Sequence, residues 1–159
     1  MRHLQTILVS ILALSLLIGG NMASSSTLVL MSGVEGRLVS ASGEPVANMR
    51  LVRTWHWAWT DTRGQDETMT DAQGRFHFPP VTGRSISARF IPHEPDILQK
   101  ITAQAASGPV NIWSARKSNY RENSELQGQP LHILCGLNKL PGSGSNGLFN
   151  SLCIPDPDG

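Results

Sequence analysis

From Ser32 onward, short apolar stretches alternate with turn-forming residues at a period of two rather than 3.6, the spacing of strands whose faces differ. Ser32–Ser40 reads as a strand, and Ala41–Pro45 as a turn in which glycine and proline set the backbone. In Val46–Trp59 the odd positions hold Met49, Leu51, Trp55, Trp57 and Trp59, with Arg53 in the same row. This predicts a long strand with one apolar face and room for a bend or bulge near Thr54. Thr60–Asp66 reads as a polar loop, Glu67–Thr70 as a short strand and Asp71–Gly74 as a hairpin turn. Arg75–Phe78 then places Phe76 and Phe78 on one face until Pro79-Pro80 stops it. Ser85–Ile91 predicts a strand with Ile86, Ala88 and Phe90 facing one way, and Pro92–Asp96 a rigid loop. Ile97–Ala106 fits a strand better than a helix. Pro109–Trp113 is a further strand, Ser114–Gly128 a polar loop with room for a short helix, and Pro130–Leu137 the last strand. Seven to eight strands without a helical period predict an all-β fold, an antiparallel β-sandwich in one domain.

The N-terminus departs from this pattern. Arg2 precedes a twelve-residue apolar run, Ile7–Ile18, which Gly19-Gly20 interrupts before small residues up to Ser26. The run is shorter than the roughly 17–25 residues a spanning helix needs. It predicts a signal peptide over 1–26, cut at Ala23/Ser24 or Ser25/Ser26, and no stable membrane span after cleavage. The expected organisation is 1–26 signal peptide, 27–140 sandwich domain and 141–159 a Gly/Ser/Pro-rich tail. The expected location is the bacterial periplasm or the exterior. Fifteen glycines and ten prolines exclude long helical bundles. A net charge of +1 argues against a nucleic-acid partner held by bulk charge. Cys135 and Cys153 are the only cysteines. In an oxidising compartment they predict a disulfide that ties the tail, with a stabilisation of about 3 kcal/mol.

Several of these segments resemble a known domain. Gly36-Arg37-Leu38-Val39, then Gly43-Glu44-Pro45-Val46, then Thr68-Met69-Thr70-Asp71-Ala72-Gln73-Gly74-Arg75-Phe76-His77-Phe78 resemble the carboxypeptidase-regulatory-like, transthyretin-like pattern. The resemblance covers Gly33 to about Phe90. It implies an Ig-like/transthyretin-like sandwich that serves as a non-catalytic accessory domain. The back half, with His93-Glu94-Pro95, Asn111-Ile112-Trp113 and Lys117-Ser118-Asn119-Tyr120, looks like an uncharacterised group of bacterial exported proteins.

Candidate chemistry is sparse. His93-Glu94 lacks the second histidine and the helix of a zinc-peptidase motif, and Pro95 opposes that helix. No Gly-x-Ser-x-Gly elbow occurs. Asp61, Asp66, Glu67 and Asp71 lack the spacing of a calcium loop. The reading is therefore no catalytic residue, no metal and no cofactor. The candidate binding residues are Trp57, Trp59, Asp61, His93, Glu94, Lys117 and Tyr120. They are expected to recognise another envelope protein, one version being an immunity-type protein that neutralises a periplasmic toxin. Two rival readings are a carbohydrate-binding module using the Trp55, Trp57, Trp59 row to stack a glycan, and a small hydrolase or metal-dependent enzyme using the His93 or Asp61 loop.

Overall fold

In a computed structural model that describes residues 27–138 and 151–157, two four-stranded sheets pack face to face and a two-stranded ribbon covers one end of the core. The strands are β1 (Leu28–Met31), β2 (Val34–Val39), β3 (Arg50–Trp57), β4 (Thr62–Met69), β5 (Arg75–Phe78), β6 (Val81–Gly83), β7 (Ile97–Ala105), β8 (Gly108–Lys117), β9 (Leu131–Gly136) and β10 (Cys153–Pro155). A one-turn helix α1 (Ser87–Phe90) precedes β7, and a 3-10 turn at Ser124–Leu126 follows β8. One sheet has the order β10-β9-β2-β5, the other β4-β3-β7-β8, and β1 pairs with β6. The all-β sandwich expected from the alternation is therefore the fold. Its described ladders are antiparallel except one, the parallel pairing of β2 with β9.

The main core draws Val34, Leu38, Phe76, Phe78, Leu131 and Ile133 from one sheet and Leu51, Ile101, Ala103, Ile112 and Trp113 from the other. Ile112 and Trp113 are consecutive yet both buried, because the β7–β8 ladder shifts register there. An extra residue in one strand lets two neighbours face inward. The glycine motifs have direct physical reasons. Phe76 pairs with Gly36 across β2 and β5, and a Cβ on Gly36 would lie 2.3 Å from the Phe76 ring. Gly74 closes the Asp71 turn at φ +73°, and a Cβ there would lie 2.4 Å from the Leu38 carbonyl oxygen. Gly74→Ala is thus expected to destabilise the fold by more than about 1 kcal/mol, readable as a lower urea midpoint.

Several boundaries differ from the sequence reading. Residues 85–91 are not a strand. Ser85 Oγ accepts the Ala88 N–H at 3.1 Å, a local bond that diverts serine-rich backbone into a turn. Only Ala88 of the expected apolar row is buried, while Ile86 and Phe90 are exposed. The polar stretch 60–66 is mostly strand, since β4 starts at Thr62. β4 is a sheet edge, and edges carry charges that block further pairing, so its composition mimics a loop. The long strand 46–59 is confined to Arg50–Trp57, with Asn48 left-handed at φ 55° just before it. β1 was hidden because its run of apolar residues has no polar alternation. Ser114–Lys117 extends β8, and the tail contributes β10. The predicted signal peptide lies outside the described residues.

Cys135 and Cys153 stand opposite each other in the β9–β10 ladder, with Cα atoms 4.0 Å apart, and form the expected disulfide. Arg37 of β2 pairs with Asp156 just beyond β10. Replacing both cysteines by serine is expected to cost about 3 kcal/mol, measured by urea unfolding with and without reductant on the parent.

Candidate functional site

Strand register decides which loops meet. Trp57 pairs with Ile97, and Ile97 with Lys117, so β3 and β8 end where β7 begins. The segments after β3, before β7 and after β8 therefore share one end of the sandwich. A second apolar cluster lies beneath them, formed by Leu28, Leu30, Trp57, Ala88 and Ile97.

A chain of polar aromatic contacts joins the three segments. Trp57 Nε1 donates to Tyr120 Oη at 3.0 Å, and Tyr120 Oη lies 2.8 Å from His93 Nε2. His93 Nδ1 is 2.8 Å from the Ile91 carbonyl, which only accepts, so Nδ1 carries hydrogen. In the neutral ring Nε2 is then the acceptor, and the Tyr120 hydroxyl donates to it. Burial raises the Tyr120 pKa above its ordinary value, and the Trp57 hydrogen bond offsets part of that. Trp59 stacks on His93 with ring centroids 3.9 Å apart and donates from Nε1 to Ser87 Oγ at 3.0 Å. One aromatic string therefore links β3, α1, the 91–96 segment and Tyr120.

Charges edge this end. His56 Nε2 donates to Asp61 Oδ1 at 2.7 Å, and Arg63 donates to the same oxygen at 3.2 Å. The His56 hydrogen bond and the Arg63 charge hold the Asp61 pKa below its usual value. Arg116 grips Asp96 with two bonds of 2.8 Å, which lower the Asp96 pKa and raise that of Arg116. Asp96 also accepts the Ala58 N–H through its carbonyl at 3.0 Å, tying the two loops by backbone. Glu94 is exposed beside this pair.

Below the aromatic string runs a belt of buried polar side chains. In β3, Arg53 lies between Leu51 and Trp57, and in β7, Gln99 lies between Ile97 and Ile101, so the belt separates the two apolar clusters. Arg53 is fully buried; it donates to both carboxylate oxygens of Asp66, its partner across β4, and to the Pro79 carbonyl at 2.7 Å. Its guanidinium also rests 4.7 Å from the Phe78 ring centroid. Glu125 accepts the Ser32 N–H at 3.0 Å, the Ser32 hydroxyl at 2.7 Å, Gln99 Nε2 at 3.1 Å and Lys117 Nζ at 3.3 Å. Burial opposes the Glu125 charge, but the Ser32 hydrogen bonds and Lys117 outweigh it, so its pKa lies below the ordinary one. Burial lowers the Lys117 pKa, and Glu125 opposes that shift. A carboxylate depressed in the folded state lends stability above its unfolded pKa, and that stability is lost as pH falls through the folded value. Acid unfolding is therefore expected to steepen below the ordinary glutamate range of about 4.3. Glu125→Gln should flatten that limb, as followed by tryptophan fluorescence.

Of the residues singled out in the sequence, Trp57, Trp59, His93 and Tyr120 come together, and Asp61 and Glu94 stand at the same end. Lys117 does not reach the surface. It is 3% exposed, because its β8 register turns it inward beside Ile97. Trp57 is 2% exposed and acts from beneath. The tryptophan row is therefore not an open platform. Trp55 lies over Gly64, where a Cβ would come within 2.3 Å of its ring, and Trp59 is covered on one face by His93. Ser87, Arg53 and Gln99 were not anticipated. Arg53 had a visible signal, a charged residue in an otherwise apolar row. Among the described residues no group of three or more His, Cys, Asp or Glu side chains is placed to hold a metal ion. Nor is any helix there long and apolar enough to cross a membrane.

The fold and this loop end define a β-sandwich with one end stapled by an aromatic string and rimmed by charges. The chain belongs to the DUF6795 family, a domain of unknown function, whose family model matches residues 34–140. No curated protein matches it. Among solved structures, a 9R-lipoxygenase from Cyanothece PCC8801 is similar at 14% identity and a TM-score of 0.29. That match covers 67% of this chain and 16% of the lipoxygenase chain.

Proposed function

We propose that this protein is a non-catalytic, exported accessory protein of the transthyretin-like, carboxypeptidase-regulatory-like type, and that its loop end recognises another envelope protein. The observation that carries the reading is the union of three sequence-distant loops by the Trp57–Tyr120–His93–Trp59 string. Binding surfaces gain affinity when their loops are ordered before the partner arrives. Loops on a rigid scaffold are where recognition usually resides. Asp61 and Glu94 stand exposed beside the string and supply charges that select a partner and its orientation. A disulfide suits the oxidising compartment of an exported protein. An immunity-type role, masking a periplasmic toxin, is one form of this reading.

The test places a photo-crosslinking amino acid at Glu94, at Asp61 and at Gln73 in the exporting cell. Gln73 is exposed in the β4–β5 turn, at the opposite end of the strands. A single discrete envelope adduct from 94 and 61, absent from 73, is expected. No adduct from either loop position, or the same adduct from Gln73, would contradict the proposal.

A further inference from the structure

We propose that the tip running from Arg84 to Ile91 docks on an anionic lipid surface. The tip adjoins the aromatic string through Ser87 and the Ile91 carbonyl, but its exposed side chains are other than Asp61, His93 and Glu94, so this goes beyond the recognition of a protein partner. Helix α1 seats only Ala88 in the second apolar cluster. Ile86 is 81% exposed, Phe90 78% and Ile91 52%, which makes three large apolar side chains within six residues. Isolated exposed apolar residues are ordinary, but a contiguous group marks a contact surface. These side chains project rather than line a cleft. A rigid protein partner must offer a matching pocket to such a tip, whereas a lipid headgroup layer yields to it.

Charge names the kind of lipid. Arg84, Arg89 and Arg121 are exposed around the tip, and residues 84–91 contain no acid. Arg84 and Arg121 form no ion pair among the described residues. Basic residues beside apolar side chains are the composition with which peripheral proteins hold anionic bilayers.

The path of the chain agrees. Leu28, the first residue of β1, pairs with Gly83, the residue before Arg84. The chain therefore enters the fold at the tip. The apolar run Ile7–Ile18 ends ten positions before Leu28. Ten extended residues reach at most roughly 36 Å. Before cleavage, a chain held at a membrane by that run leaves the fold at the tip and not at the opposite turns.

The experiment is sedimentation of the purified chain with vesicles of phosphatidylcholine alone or of phosphatidylcholine mixed with phosphatidylglycerol. A solvatochromic fluorophore at Phe90→Cys reports the environment of the tip. Expected results are binding to the anionic vesicles that high salt weakens, and a blue shift at position 90 upon it. The double variants Ile86→Asp with Phe90→Asp, and Arg84→Glu with Arg121→Glu, should each lose about tenfold or more in partitioning. Met69→Asp, which alters an exposed apolar residue of β4, should change nothing. Equal binding to both vesicle types, or none, would overturn the proposal. So would undiminished binding by the Ile86/Phe90 variant, which would place attachment elsewhere on the chain. A fluorophore already blue-shifted without vesicles would mean that the chain itself or a second copy covers the tip, the latter if the shift grows with protein concentration. A partner-protein adduct from a crosslinker at position 90, with no shift on vesicles, would make the tip part of the protein interface instead. Failure on vesicles leaves the adduct expected from Glu94 unaffected, so the two readings fail separately.

Discussion

Glu125→Ala is expected to lower the unfolding free energy by about 3–5 kcal/mol, the usual cost of removing one partner of a buried ion pair. Glu125 and Lys117 side chains are each 1% exposed. Without the carboxylate, Lys117 keeps only the Ser32 hydroxyl at 3.5 Å among its described partners. Ser32 loses the acceptor of both its backbone and its hydroxyl hydrogen, and Gln99 keeps the Leu30 carbonyl at 3.1 Å. Much of the loss is thus the exposure of other groups to an apolar surrounding. The double variant Glu125→Leu with Lys117→Met removes both charges and should recover most of the stability. Urea unfolding of the wild type, Glu125→Leu, Lys117→Met and their double variant gives the coupling directly. A single-variant cost below about 1 kcal/mol would show that the pair is solvated rather than buried.

Trp57→Ala is the second large effect, also about 3–5 kcal/mol. The indole fills the second apolar cluster and packs so closely that a Cβ on Gly83 would fall 2.8 Å from its ring. Truncation leaves a cavity under all three loops, whose closure would need movement of both β1 and β6. It also removes the donor to Tyr120. Trp57→Phe separates the two effects. It retains most of the apolar contact and loses the hydrogen bond, for about 1 kcal/mol. A phenylalanine variant as unstable as the alanine variant would place the main contribution in the hydrogen bond rather than in packing.

These two sites show what the amino-acid order made legible. Alternation located β2, β5, β7 and β9, because each has one face in the core and one outside. It placed Trp57 in an apolar row with Leu51; both are buried, while Met49, Trp55 and Trp59 of that row are half-buried. It failed where burial is two-sided or charge is structural. Leu28–Met31 lacks polar alternation, and β4 carries the charges of an edge. It failed again at Ser85–Ile91, where a serine–backbone bond turns the chain so that Ile86 and Phe90 leave the core. The site was legible as residues but not as contacts. His93 and Tyr120 were singled out separately, 27 positions apart. Only the shared ends of β3, β7 and β8 reveal that one accepts a hydrogen bond from the other. Lys117 misled because a basic residue next to aromatic ones reads as surface, while its partner Glu125 stands eight positions on, beyond the reach of helical spacing.

The account rests on the three loops acting as one preorganised unit, and amide hydrogen exchange on the wild-type protein and Tyr120→Phe tests that most directly. Removing one hydroxyl deletes the bonds to both Trp57 and His93. Exchange should then rise together in segments 58–61, 91–96 and 118–123, while the Asp71–Gly74 turn at the other end is unchanged. Faster exchange confined to the neighbours of Tyr120 would contradict the account.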